Sequence, residues 1–209
     1  MSLDGWKPVN SANLAVNRLD TPLSDALPVS VTVTPGDGGN ATKTAAAGLQ
    51  NVGYWGMDVR VQNYTGTFWV YGGYEGVFTA DLRSDIDGEV FGSVEVESKA
   101  VDGEWVEHTF ALVPDVDAPS SNNTFALTFD PAGLQGESLD FNLISLFPPT
   151  YKDRKNGLRV DIAEALAELH PVRRDSLRLP ALYWLSDMLT LRDIIRPSCA
   201  SPVATCSRD

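Results

Sequence analysis

Residues 138–171 read SLDFNLISLFPPTYKDRKNGLRVDIAEALAELHP, and they decide the fold. Up to Phe147 the stretch alternates in the manner of a strand with one face turned to a core. From Asn156 onward Leu158, Ile162, Leu166 and Leu169 recur at helical spacing, while Asp161, Glu164 and Glu168 lie off that stripe. Residues 149–156, with Pro149 and Asn156-Gly157, form a connector, and Pro171 ends the helix. A β-rich region therefore gives way to a helical one near residue 148.

Working backward from that boundary, short apolar or alternating runs recur between turn clusters. They are 28–35 (PVSVTVTP), 66–71 (GTFWVY), 76–82 (GVFTADL), 90–97 (VFGSVEVE), 105–113 (WVEHTFALV), 124–129 (TFALTF) and 138–146. Seven or eight such runs, spaced by Gly-, Asp- and Asn-rich turns, predict a sandwich or barrel. The alternation of Phe125, Leu127 and Phe129, and of Phe141 and Leu143, predicts one core-facing row per strand. A length near 145 residues suits an eight-stranded jelly roll better than a seven-stranded immunoglobulin-type domain, and there is no Cys–Trp–Cys pattern. Working forward, 156–170 is the expected helix, a second helix is expected around 182–195, and 197–209 reads as an irregular end. The expected division is thus 1–148, 149–171 and 172–209.

Charge narrows the partners. Residues 1–150 carry 6 basic and 20 acidic side chains, whereas 151–209 carry 10 and 8. An acidic front region repels phosphate backbones and anionic lipid, so neither nucleic acid nor membrane is an expected partner. No apolar run reaches the length of a membrane span. Residues 1–5 (MSLDG) have no positive start and no apolar run, so they do not read as a signal peptide. Cys199 and Cys206 can pair or stay free.

Three Asn-x-Thr sequons head at Asn40, Asn63 and Asn122 and are candidate glycosylation sites. Glu95 and Glu97 share one strand face. Asp85, Asp87 and Glu89 carry hard oxygen donors in a hairpin turn, the chemistry of a calcium loop, although EF-hand spacing is absent. No His/Cys metal spacing, nucleophile elbow or dinucleotide motif is present, so no cofactor and no resident metal are expected. The remaining signal is aromatic. Tyr54, Trp55, Tyr64, Phe68, Trp69, Tyr71 and Tyr74 fall close together. Sugar rings present C–H faces that stack on such rings, and Trp and Tyr add a polar tip. Trp55, Trp69, Tyr71 and Tyr74 are the candidate sugar contacts; Trp69 and Tyr71 share one strand face, with Phe68 and Val70 on the other.

Residues 53–56 (GYWG), 91–98 (FGSVEVES), 121–130 (SNNTFALTFD), the opening stretch and above all 140–157 (DFNLISLFPPTYKDRKNG) resemble fungal α-L-arabinofuranosidases of glycoside hydrolase family 51. The resemblance covers roughly residues 4–171. It implies a carbohydrate-binding-module-like β-sandwich followed by the first helix of a (β/α)8 barrel. It also implies a secreted retaining enzyme acting on terminal arabinofuranosyl groups of the plant cell-wall polysaccharides arabinan and arabinoxylan. The two catalytic glutamates implied by the family belong to later barrel strands, so no catalytic residue is assigned in this sequence, and the chain is expected to be an inactive fragment. The family's glycine-rich FPGGN-like strand end is absent; 176–181 (SLRLPA) stands in its place.

Overall fold

The computed structural model describes residues 3–36 and 46–169. The expected second helix, the 197–209 end, His170, Asn40 and both cysteines lie outside them. The chain divides into two compact units, at Pro149 and Thr150.

The first unit is a two-sheet antiparallel sandwich. Its described strands are β1 (Trp6–Val9), β2 (Asn13–Arg18), β3 (Val29–Thr34), β4 (Ala47–Asn51), β5 (Tyr64–Tyr71), β6 (Val77–Ser84), β7 (Val90–Glu97), β8 (Trp105–Leu112), β9 (Asn123–Phe129) and β10 (Leu139–Phe147). One sheet runs β1-β4-β9-β6-β7 and the other β2-β3-β10-β5-β8. The seven runs expected from the sequence all become strands. The three it did not announce have local reasons. β1 is four residues long, contains Pro8 and lies at a sheet edge, where a missing N–H is tolerated. β2 is the edge of the other sheet and reads polar at both ends. β4 contains Gly48, where a Cβ would meet Leu127 O at 2.2 Å, so close backbone approach replaces side-chain patterning.

The core forms between the sheets from one row of each strand. β5 contributes Tyr64, Phe68 and Val70, and Gly66 makes room for the Phe110 ring. Phe68, Phe78, Phe129 and Phe141 pack ring against ring, mostly edge-on or tilted. His108 pairs in register with Phe68 and points into this cluster, its imidazole stacked on the Phe68 ring at 5.0 Å. The Nε2 atom accepts from Lys99 N–H at 2.9 Å, which leaves the Nδ1 proton for Val106 O. Burial holds the imidazole below its usual pKa.

One expected core residue is corrected. Leu143 is 51% exposed, because a bulge between Asn142 and Ser145 shifts the β10–β5 register. Leu143 itself takes φ +46° at that bulge, so the alternation begun by Leu139 and Phe141 changes phase.

In the second unit a single described α-helix, α1, runs Val160–Glu168. It starts later than the expected 156. Asn156 has φ +56°, and Gly157 N–H closes a turn onto Arg154 O at 2.9 Å. Thr150 bridges Arg159, and Tyr151 N–H donates to Leu158 O at 2.8 Å, so the connector is a closed loop. Ala163 is buried, while Ile162 and Leu169 of the predicted apolar stripe are exposed.

Candidate functional site

The outer face of the β2-β3-β10-β5-β8 sheet gathers the chemistry. Side chains alternate across a strand, so the residues between core positions point away from the core. On β5 these are Trp69 and Tyr71, opposite in parity to buried Phe68 and Val70. On β10 they are Asp140 and Asn142, on β3 Ser30 and Thr32, and on β8 Trp105 and Glu107. Register aligns them. Ala15, Thr32, Asp140, Tyr71 and Trp105 form one row across all five strands. Asn142, Trp69 and Glu107 form part of the next.

Asp140 is the polar centre of the first row and is only 8% exposed. Its Oδ1 accepts from Ser30 Oγ at 3.0 Å and from Thr32 Oγ1 at 2.5 Å. Thr32 Oγ1 in turn accepts from Asn17 Nδ2 at 2.8 Å. A buried carboxylate needs such donors. Among the described residues no side-chain donor pairs with its Oδ2. A carboxylate is acceptor-only, so the partner that suits this atom is an N–H or O–H from outside, and a sugar hydroxyl qualifies.

Beside it, Tyr71 and Trp105 stand with ring centroids 5.4 Å apart and planes tilted by 43°. The indole is fixed by Trp105 Nε1 donating to Thr21 O at 3.0 Å, in the β2–β3 loop. Trp69 lies in the adjacent row, and Asn142 is held by donation from its Nδ2 to Val29 O at 3.0 Å. The face thus offers flat apolar rings next to an oriented acceptor, which can bind a polyhydroxylated ring.

Two carboxylates, Asp140 and Glu107, stand on this face. Asp140 and Glu107 are two strands and one row apart, which puts their Cα atoms on the order of 12 Å apart with side chains rising in parallel.

Of the four predicted sugar contacts, the structure brings Trp69 and Tyr71 together here. Trp55 lies elsewhere, on the turn between β4 and β5, packed edge-on against Tyr54. Tyr74 is corrected: it is 2% exposed and belongs to the core. Its ring contacts Phe78 and Phe129, and its hydroxyl donates to Val77 O at 3.0 Å and accepts from Asp130 N–H at 3.1 Å. Burial pushes this phenol's pKa up. No face of the ring is left for a ligand. Trp105, Asp140, Ser30 and Thr32 went unread in the sequence. Parity against His108 and Phe110 would have placed Trp105 and Glu107 on the outer face; no local signal marks Asp140.

The turn that carries Asp85, Asp87 and Glu89 is bonded locally. Asp87 Oδ1 accepts Glu89 N–H at 3.2 Å, an ordinary turn bond, and contacts with Ser84 and that N–H hold its carboxyl low. Among the described residues no group of three or more His, Cys, Asp or Glu is placed to hold a metal. Glu95 and Glu97 lie exposed on β7. Asn63 and Asn122 are exposed in loops. No helix among the described residues is long and apolar enough to cross a membrane.

Fold and face together define an antiparallel sandwich of the kind that displays a ring-and-carboxylate surface from one sheet. Comparison with known proteins adds the relatives. The chain is 34% identical over 167 residues to the probable α-L-arabinofuranosidase A of Aspergillus oryzae, which covers 80% of this chain and 26% of that protein. It is 36% identical over 150 residues to the one of Emericella nidulans, covering 72% and 26%. The solved arabinose-bound GH51 α-L-arabinofuranosidase superposes with a TM-score of 0.73 at 33% identity, over 81% of this chain and 27% of that one. No family model matches. The chain is therefore a homologue of the fungal family 51 α-L-arabinofuranosidases, and it spans about a quarter of the length of the curated relatives it matches.

Proposed function

We propose that this chain is a non-catalytic, carbohydrate-facing portion of a secreted retaining α-L-arabinofuranosidase. In this reading the outer face of the β2-β3-β10-β5-β8 sheet holds arabinose-bearing cell-wall polysaccharide, arabinan or arabinoxylan, while the hydrolytic carboxylates belong to a barrel outside the described residues. The observation that carries the reading is the single row joining Asp140, Tyr71 and Trp105, with Trp69 beside it. Rings supply apolar area for a sugar face, and the fixed carboxylate orients its hydroxyls.

Affinity electrophoresis on arabinoxylan and arabinan tests it. The chain is expected to be retarded, and Trp69→Ala or Tyr71→Ala to abolish most of the retardation. A chromogenic arabinofuranoside is expected to show no turnover. Free migration on both polymers would remove the binding role, and robust turnover would remove the non-catalytic one.

A second reading, a module that braces the barrel, has its own observation. A cleft of about 400 Å³ opens between the sheets, lined by Leu3, Trp6, Val16, Val31 and Phe141 with exposed Leu143 at its rim. Surface of this kind is often covered by a partner. Strong dye binding and self-association without polymer retention would favour this reading.

A further inference from the structure

Two turns at one end of the sandwich are laced together. One is Gly53-Tyr54-Trp55-Gly56, and the other covers residues 120–122 and leads into Asn123, the first residue of β9. Met57 N–H donates to Ser121 O at 2.7 Å. Asn123 Nδ2 donates back to Met57 O at 2.8 Å and to Ser120 O at 2.6 Å. Gly56 has φ +86°, and a Cβ there would lie 1.9 Å from Ser121 O and 3.6 Å from Asn122 Cα. The backbone of Asn122 therefore stands against the residue that follows Trp55, and both sit on turns that cannot easily shift.

Tyr54 and Trp55 are 91% and 84% exposed, with rings edge to face at 5.4 Å. Two large aromatics held in solvent on a tied-down turn call for an apolar occupant. Asn122 is itself exposed and heads the sequon Asn122-Asn123-Thr124. At the other described sequon the ring next to Asn63 is Tyr64, which is buried.

We propose that Asn122 carries an N-linked glycan whose first sugar lies on the Trp55 indole, with Tyr54 alongside. The proposal rests on the secretion assumed above and is independent of the Trp69 face. In the transfer step, Asn122 Nδ2 bonds to the anomeric carbon of an oligosaccharide supplied as a lipid-linked diphosphate. The bond from that carbon to the diphosphate oxygen breaks, the lipid diphosphate leaves with the electron pair, and Nδ2 releases one proton. Thr124 is buried in β9, so the transfer precedes closure of that strand. Once the chain folds, the sugar's C–H face covers indole area that the protein leaves bare. The sugar contact predicted for Trp55 is thereby met by a covalently attached ring rather than by a polymer.

The test is secretion of the full chain, with a leader supplied, from a eukaryotic host that N-glycosylates, followed by peptide mass mapping. Asn122 is expected to be occupied. Trp55→Ala is expected to lower Tm by about 2–4 °C in the glycosylated protein and by less than half of that in an Asn122→Gln background. Enzymatic removal of the glycan from the folded wild-type protein should shift its Trp fluorescence, and this shift should vanish in Trp55→Ala. A bare Asn122 in the secreted chain overturns the proposal. So does a Trp55→Ala effect that is equal in both backgrounds, or a fluorescence unchanged by glycan removal. Polymer retention through Trp69 is expected to be the same in Asn122→Gln, so failure of that reading is separately visible.

Discussion

Asp140 is where folding and the proposed recognition can be tested apart, because its Oδ1 accepts from Ser30 and Thr32 while no side-chain donor among the described residues pairs with its Oδ2. In Asp140→Ala the acceptor of Ser30 and Thr32 disappears, and both hydroxyls are themselves buried. A hydrogen bond to a charged group contributes about 1.5–3 kcal/mol, and two are lost. Relief of the buried carboxylate's own desolvation, and rotation of the hydroxyls to other acceptors, return part of this. The expected net loss is about 2–4 kcal/mol, which lowers the urea midpoint by about 1–2 M at an m-value of about 2 kcal/mol/M. Asp140→Asn keeps an oxygen for the two hydroxyls and should lose less than about 1 kcal/mol. It removes the charge from the atom offered to the sugar, and a charge-assisted bond is roughly twice as strong as a neutral one. Retention on arabinoxylan should then weaken about fivefold while the protein stays folded. Urea denaturation and affinity electrophoresis on the same preparations read both quantities. The reasoning fails if Asp140→Asn unfolds as readily as Asp140→Ala, or if it binds polymer as well as the wild type.

Three further outcomes are expected. His108 is neutral in the fold and its pKa lies below the unfolded value, so stability is complete above about pH 6.5. Below that pH the unfolded chain takes up the proton first, and stability falls by up to about 1.4 kcal/mol per pH unit until the buried imidazole protonates; thermal melts from pH 7 to 5 should show this slope, and His108→Gln should flatten it. Gly66→Ala places a methyl 2.1 Å from Phe110 Cζ, so it should cost about 1–3 kcal/mol by chemical denaturation, and Phe110→Leu should partly rescue it. Tyr74→Phe strips the hydroxyl bonded to Val77 O and Asp130 N–H and should cost about 1–2 kcal/mol with polymer retention unchanged; a loss of retention in the folded variant would return Tyr74 to the site.

The alternation in 64–71 already separates Phe68 and Val70 from Trp69 and Tyr71, because a two-residue period is local and needs no partner strand. The same logic placed most strands. It failed at Leu143, where a bulge resets the phase, and at Tyr74, whose composition signal is identical to that of an exposed ring. It could not see β1, β2 or β4, whose existence depends on neighbours already in place.

The order of residues by itself determined the β character of the first unit, its acidity, which face of each strand is apolar, and the kinship with arabinofuranosidases. Only the tertiary structure decided that Asp140, Tyr71 and Trp105, spread over 70 positions of sequence, stand in one row, and that Gly56, the residue after Trp55, packs against the backbone of Ser121 and Asn122. The physical reason is range. Side-chain parity is fixed by the backbone of a single strand, whereas lateral register and the lacing of loops arise from hydrogen bonds between segments that the sequence keeps far apart.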